Sequence, residues 1–457
     1  MTVSFIHPET MEEAAINNLM SRDGFQFILT SMLDNFVGFT PLGIVLTLML
    51  GIGVADKEGL LETFIKHTIV KAPKRLVTYA VVFAGVIGNI AGDASFVIIP
   101  PLAAMVFYNL KRHPLAGLAA GFAGAGAGFT ANIIIANTDV VISGISTDVM
   151  QGINPDVIVT PVDNWYFLLV SALILPLVGA WITEKVIEPR LGTYEGEVEK
   201  SFEEPSPLEV KGLRNTGMAI LVYLGLLVGV IMLPDSPLRN DTGGLVPSPL
   251  ISGIVPILTL FFIIIGVTYG ITVGSIKKSN DVPRFMGEAI KDLSGFIVLI
   301  FAAAQFIAYF EWSNMGTWLA VTGANYLQSI GLTGLLIILV FILFTGLLNL
   351  LIFSGAAQWA LQAPVFLHMF YLLGYHPAFI QAAFRIADSS TNILTPMNTY
   401  FIIILGYVRE YDEDAGLGTL ISLMLPYSLA FFAVWIVLFF IFALLGLPFG
   451  PGIGVYI

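Results

Sequence analysis

The segment FRIADSSTNILTPMNTY, residues 384–400, decides the fold because it sets polar and charged groups among long apolar runs. Arg385 and Asp388 are three residues apart, so on a helix they share a face and can pair. The Ser-Ser-Thr-Asn cluster at 389–392 offers the backbone other hydrogen-bond partners and favours a helix break, which Pro396 keeps open. Ionisable groups at membrane depth mark a substrate or ion path. The segment therefore predicts half of a transport site.

The composition indicates a membrane protein. The chain has 457 residues, of which 56% are hydrophobic and 11% charged, whereas soluble domains are about a quarter charged. The runs 27–50, 253–274 and 429–447 are long enough to cross roughly 30 Å of hydrocarbon as helices. Without cysteines there is no disulfide or thiolate metal site, and the net charge of −12 argues against nucleic acid as a partner. We expect an all-α polytopic protein in contact with membrane lipid.

The positions of lysine and arginine predict the topology, because basic loops stay in the cytoplasm. The predicted spans number eight, with residues 1–25 outside: 28–54, 115–147, 163–187, 216–233, 251–275, 293–310, 375–407 and 418–446. Two further segments, 76–110 and 333–372, are apolar on both sides of a polar centre and are predicted to be re-entrant hairpins. The hairpins would enter the membrane from opposite sides.

The two halves correspond at an offset of 260 residues. Asn89 in the first hairpin matches Asn349 in the second (349 − 89 = 260), and the break at 130–133 matches the break at 390–393. Inverted repeats whose broken helices meet at the midplane are typical of secondary transporters of the ion-transporter type. The predicted units are the N-terminal segment with the first scaffold span, the first repeat core, the scaffold with a cytoplasmic linker at 188–215, the second repeat core and the C-terminal span: 1–75, 76–147, 148–332, 333–407 and 408–457.

The charged residues assigned to the core are the first candidates for function. Arg385 is the only cation among them, and its guanidinium fork suits a substrate carboxylate; the alternative is a structural pairing with Asp388. Asp139 has no obvious cation near it in sequence, which makes it the better proton carrier. Either aspartate could instead ligate a cation or cap a broken helix.

The amide side chains at the breaks suit a hard cation such as Na⁺. The candidates for Na⁺ are Asn89, Asp93, Asn132 and Asn392, while Asn349 is counted with the substrate-binding positions. The alternative is that they only satisfy the ends of broken helices.

Trp359 follows a Gly-Ala-Ala segment and either stacks on an aromatic substrate or packs. Pro377 is interpreted as a kink or hinge.

Several long motifs, among them SGAAQWALQAPVF (354–366) and FRIADSSTNILTPMNTYF (384–401), resemble the AbgT family of p-aminobenzoyl-glutamate transporters, some of which export sulfonamide antimetabolites. The resemblance covers essentially the whole chain. It implies a homodimer in the bacterial inner membrane, with nine spans and two hairpins per protomer divided into a scaffold and a transport core. It also implies transport coupled to Na⁺ or H⁺, with no tightly bound cofactor. Because the family begins with one more N-terminal span, we expect this chain to be trimmed or to start differently.

The family's functional positions fall on residues of this sequence one by one: Asp139, Trp359, Pro377, Arg385, Asp388 and Pro396. A position that is serine in some members is Ala356 here. The resulting hypothesis is a secondary active transporter in which Arg385 holds a glutamyl carboxylate and Trp359 stacks on the ring. The rival hypotheses are a Na⁺-coupled dicarboxylate carrier, a channel and an intramembrane hydrolase. The absence of an HExxH motif and of cysteine speaks against the hydrolase.

Overall fold

The computed structural model describes residues 4–6, 13–92, 94–196, 204–331 and 334–457, and in these ranges the chain is a bundle of helices preceded by a small β-hairpin. Strands β1 (Ser4–Ile6) and β2 (Glu13–Ala15) pair antiparallel, with Ser4 opposite Ala15. Three-residue strands are too short to leave an alternating pattern, so the all-α prediction omitted them.

The helices follow the two halves of the sequence. The first half contains α1 (Arg22–Val37), α2 (Thr40–Lys57), α3 (Leu60–Val70), α4 (Val77–Gly88), α5 (Ala94–Asn109), α6 (Pro114–Ala127), α7 (Asn137–Gln151), α8 (Trp165–Ile182) and α9 (Glu188–Leu191), the last two joined by a π-helical segment, Thr183–Ile187. The connecting helices are α10 (Pro207–Ile231), α11 (Pro249–Ser252) and α12 (Ile254–Val273). The second half contains α13 (Asp281–Asp292), α14 (Ser294–Trp312), α15 (Met315–Ser329), α16 (Leu335–Asn349), α17 (Gly355–Leu372), α18 (Pro377–Thr391), α19 (Phe401–Arg409) and α20 (Leu417–Leu445).

Six helical segments in the described ranges are long and apolar enough to span a membrane: Arg22–Lys57, which comprises α1 and α2, Trp165–Leu191, Pro207–Ile231, Ile254–Val273, Ser294–Trp312 and Leu417–Leu445. The broken helices α6–α7 and α18–α19 bring the total to the eight predicted spans. The third continuous segment begins at Pro207 rather than at 216. Ser206 and Glu209 form a capping box there, each side chain accepting a hydrogen bond from the other's backbone N–H, so the helix starts inside the charged stretch.

The two hairpins are α4 with α5 and α16 with α17, and one hydrogen bond shows that they are equivalent. Asn89 Nδ2 donates to the carbonyl oxygen of Gly128 at 3.4 Å, and Asn349 Nδ2 donates to the carbonyl oxygen of Asp388 at 2.6 Å. Each bond spans 39 residues, and the second lies 260 positions after the first (388 − 128 = 260). The repeat expected from sequence is therefore present in three dimensions.

Helices α4, α5, α6 and α8 pack with α18 and α20 into one body, whereas α12 and α13 pack on α2, and α10 packs on α12. Helix α7 lies between these groups, in contact with α2, α17 and α18. Glycines allow the closest approach inside the first body. A Cβ on Gly124 would lie 2.4 Å from the carbonyl oxygen of Val82, and one on Gly85 would lie 2.7 Å from the backbone nitrogen of Ala125. The glycine-rich sequence of α6 thus serves backbone-to-backbone packing.

This contact yields a stability prediction. Gly124→Ala should lower the free energy of unfolding by about 1–3 kcal/mol, because the added methyl must push α4 away from α6. Gly287→Ala is the matched control, since no atom lies within 4 Å of a Cβ at this helical position. Thermal unfolding of both variants in detergent is the measurement. Equal melting temperatures would contradict the packing described here.

Candidate functional site

The two broken helices meet each other at the centre of the molecule. Thr130, in the break between α6 and α7, donates its backbone N–H to Ser389 Oγ at 3.2 Å, and the two hydroxyl oxygens are 2.7 Å apart. Both side chains are fully buried. Each break exposes backbone groups that a regular helix would satisfy, and contact between the breaks supplies partners for some of them.

A buried ion pair joins the repeats next to this contact. Arg385 Nη1 lies 2.6 Å from Asp139 Oδ1, and the side chains are 0% and 1% exposed. Asp139 Oδ2 also accepts from the backbone N–H of Ala136 at 2.7 Å and from Asn132 Nδ2 at 3.1 Å. Arg385 Nε and Nη2 have no hydrogen-bond partner among the described residues. The carboxylate is thus held by a cation, a helix N-terminus and an amide.

This pair replaces two interpretations of the sequence. The structural alternative for Arg385 was a pairing with Asp388, and Asp139 had no obvious cation near it in sequence, but Arg385 and Asp139 are each other's partners. The i, i+3 rule describes neighbours on one helix surface, whereas this arginine extends across the break to the first turn of α7. The partner is 246 residues away in sequence, so local spacing contained no signal for it.

Asp388 is the other buried carboxylate of this region, and it forms no ion pair among the described residues. Its side chain is 2% exposed, and Oδ1 has no hydrogen-bond partner in the described ranges. The first turn of α17 lies beside it: a Cβ on Gly355 would be 2.7 Å from Oδ1. The positive end of a helix favours a negative charge at such a position, and only glycine leaves room for it.

The asparagines hold the breaks together. Asn349 Nδ2 donates to the carbonyl oxygen of Asp388 and lies 2.8 Å from Thr391 Oγ1 and 2.9 Å from Asn392 Oδ1. The Oδ1 atoms of Asn132 and Asn349 are buried without partners in the described part of the chain. No group of three or more His, Cys, Asp or Glu side chains suited to a metal occurs among the described residues. Asp93 lies outside those ranges, and the Na⁺ role of the asparagines and Asp93 stays a prediction.

Trp359 belongs to a buried polar chain that sequence reasoning missed. Its Nε1 donates to Ser146 Oγ at 3.0 Å, Ser146 lies 2.8 Å from Gln381 Oε1, and Gln381 Nε2 donates to Asn164 Oδ1 at 3.0 Å. The indole is fully buried and its centroid is 4.6 Å from that of Phe384. Gln381 is the single polar residue in the apolar stretch 377–384. That isolated amide was the sequence feature from which a buried hydrogen-bond chain could have been predicted.

The two candidate prolines occupy different kinds of position. Pro377 is the first residue of α18, where the missing N–H costs nothing, so it starts a helix rather than kinking one. Pro396 lies in the break between α18 and α19, as expected.

A cavity of about 410 Å³ opens where both repeats meet α13 and α14. Its wall combines aromatic rings, two helix N-termini and a buried carboxylate: Phe96, Phe129, Asn137, Thr138, Val141, Ile142, Asp292, Leu293, Gly295, Phe296, Phe353, Ser354, Gly355, Ala356, Asp388 and Asn392. Arg385 and Trp359 do not line it. Thr138 Oγ1 and Asn137 Oδ1 are buried without partners in the described ranges. Small-molecule sites usually measure about 300–1,000 Å³, and this one unites apolar walls with unsatisfied polar groups.

An inverted repeat, paired hairpins and a polar cavity between broken helices define a multi-pass membrane transporter. The sequence profile of the AbgT putative transporter family matches residues 1–457, so the chain belongs to that family. It is 41% identical over 452 residues to the p-aminobenzoyl-glutamate transport protein of Escherichia coli (strain K12), covering 99% of this chain and 89% of the relative.

Two solved structures share the fold. The YdaH transporter of Alcanivorax borkumensis, described as having an unusual topology, superposes with a TM-score of 0.93 at 37% identity, covering 98% of this chain and 95% of the other. MtrF of Neisseria gonorrhoeae, described as one of a class of antimetabolite efflux pumps, superposes with a TM-score of 0.92 at 41% identity, covering 99% and 92%. The predicted family and fold class are therefore confirmed.

The ion pair yields a second prediction. Arg385→Gln and Asp139→Asn should each lower the free energy of unfolding by about 3–5 kcal/mol, because each leaves one buried charge unpaired. The double variant should recover much of that loss. Thermal unfolding in detergent measures all three.

The exposed pair of Lys66 with Glu62 is the control, and Lys66→Gln should change stability by about 1 kcal/mol or less. If the losses from Arg385→Gln and Asp139→Asn simply add in the double variant, the two residues do not depend on each other.

Proposed function

We propose that this protein is a secondary active transporter of p-aminobenzoyl-glutamate and of sulfonamide-type antimetabolites, driven by a gradient of protons or sodium. The observation that carries the proposal is the cavity between the repeats, with its aromatic walls and unsatisfied polar groups. The names of the E. coli and N. gonorrhoeae relatives support the substrate class.

The anionic end of the substrate is proposed to bind at the N-terminus of α7, which faces the cavity. Helix α7 offers its first turn with the hydroxyl of Thr138, whereas the first turn of α17 at Gly355 already faces the carboxylate of Asp388. Backbone N–H groups and the helix dipole favour a negative charge at such ends. Ala356 adds no hydroxyl here, so Thr138 is proposed as the main side-chain donor for a carboxylate.

Arg385 is proposed to act through Asp139 rather than on the substrate in this conformation. Its side chain is fully buried and outside the cavity wall, and its Nη1 is bound to the carboxylate at the start of α7. By holding Asp139, Arg385 would position the N-terminus of α7 that receives the substrate. The predicted direct grip on a carboxylate would require the pair to open first.

The main alternative is a Na⁺-coupled dicarboxylate carrier of the same architecture. Four phenylalanines in the cavity wall, namely Phe96, Phe129, Phe296 and Phe353, favour a substrate with an aromatic ring over a small dicarboxylate. The family match and the relatives favour a transporter over a hydrolase. Location in the bacterial inner membrane, assembly as a homodimer and a contribution to antibiotic resistance complete the proposal.

The third prediction tests substrate, coupling and site together. Labelled p-aminobenzoyl-glutamate should enter proteoliposomes when either a proton or a sodium gradient is imposed, and the effective gradient identifies the coupling ion. Thr138→Val should raise KM roughly tenfold, since a lost hydrogen bond to a charged group costs about 1.5 kcal/mol or more.

Thr47→Val is the matched control, because its hydroxyl bonds the carbonyl oxygen of Gly43 on an exposed face of α2. It should transport as the wild type does. Absence of transport under every gradient would refute the proposed substrate, whereas an unchanged KM in Thr138→Val would refute the proposed donor.

A further inference from the structure

We propose that the site recognises the 4-aminophenyl group of its substrates, and that Asp388 accepts a hydrogen bond from the aromatic amine. The inference rests on the proposed function and specifies which chemical feature the transporter selects. p-Aminobenzoyl-glutamate and sulfonamides differ in most of their atoms, but both carry an unsubstituted amine in the para position of a benzene ring.

Asp388 provides the acceptor. Asp388 lines the cavity, and its Oδ1 is buried and has no donor among the described residues. A buried acceptor left without a donor is unfavourable, so a ligand that supplies an N–H gains affinity. An aromatic amine is weakly basic, remains neutral at physiological pH and carries two N–H bonds. It therefore satisfies Asp388 without bringing another charge into the membrane core.

The cavity holds a ring beside this acceptor. Phe96 and Phe129 of the first repeat have centroids 6.0 Å apart with an interplanar angle of 29°, and both line the cavity together with Phe296 and Phe353. Aromatic side chains favour a further ring by stacked or edge contacts. An amine on one end of the bound ring adds a hydrogen bond to Asp388 to the apolar contacts that the ring makes with the cavity wall.

The opposite end of the ligand has its own complement. The hydroxyl of Thr138 and the first turn of α7 offer hydrogen-bond donors, and both a glutamyl carboxylate and a sulfonyl oxygen are acceptors. With donors at α7 and an acceptor at Asp388, the two ends of the cavity differ in the hydrogen-bonding groups that they offer. The shared 4-aminophenyl group would fix the ligand's orientation, while the variable end meets the more adaptable donors.

The other carboxylate in the wall differs from Asp388. Asp292 forms an ion pair with Lys57 at the end of α2, so its charge is already compensated. Gly355 lies beside Asp388, where any side chain would crowd the carboxylate. These two positions supply a matched control and an independent perturbation.

The experiment measures binding by isothermal titration calorimetry to the full-length protein in detergent. The three ligands are p-aminobenzoyl-glutamate, benzoyl-glutamate, which lacks the amine, and 4-dimethylaminobenzoyl-glutamate, which keeps the nitrogen but has no N–H. The wild type should bind the first about tenfold more tightly than the other two. Asp388→Asn should reduce that preference to about threefold, because a neutral amide oxygen accepts a weaker hydrogen bond than a carboxylate, whereas Asp292→Asn should keep it.

Benzoyl-glutamate also reports on folding, because its binding to Asp388→Asn shows an intact cavity. If that variant binds nothing, Gly355→Ala decides in its place and should reduce the preference by crowding the carboxylate.

Equal binding of all three ligands to the wild type would overturn the inference and leave the proposed function standing. A wild type that binds none of them would instead refute the proposed function. An equal loss of affinity for all three ligands in Asp388→Asn would assign Asp388 to ion coupling and contradict amine recognition.

Discussion

The buried ion pair between Arg385 and Asp139 is the constraint on which the rest of the structure depends. A single charge at this depth is costly, and breaking such a pair leaves the other charge uncompensated. The pair therefore fixes the start of α7 against α18, and the contact between Thr130 and Ser389 brings the two breaks together beside it. The cavity occupies the space that this arrangement leaves in front of the helix N-termini.

The chemistry of the site lies where the two repeats differ. Positions 125 and 128 of the first half are Ala125 and Gly128, and their counterparts 260 residues later are Arg385 and Asp388. The scaffold contact is nevertheless kept, since Gly128 and Asp388 both accept from the asparagine of their own hairpin. The two repeats thus have equivalent broken helices, but at these two positions only the second repeat carries charged residues, Arg385 and Asp388.

The architecture could be predicted from the sequence, because long apolar runs, basic loops and polar breaks are local features of the chain. The sequence also placed Arg385 and Asp388 in the core, where both are buried. It could not predict the partner of Arg385, since that contact joins segments distant in sequence. The role of Thr138 could not be predicted either. A threonine beside Asn137 suggests a helix start, but its place in the cavity wall depends on the tertiary packing of α13, α14 and α17.

The most direct test of this account is the structure of the protein in a lipid nanodisc with p-aminobenzoyl-glutamate bound. We expect ligand density between Thr138 and Asp388, with the aromatic amine at Asp388 and Arg385 still bound to Asp139. Density elsewhere, or a ligand carboxylate on Arg385 with Asp139 released, would contradict it. The second result would make the arginine the substrate-binding residue and the ion pair a latch that substrate opens.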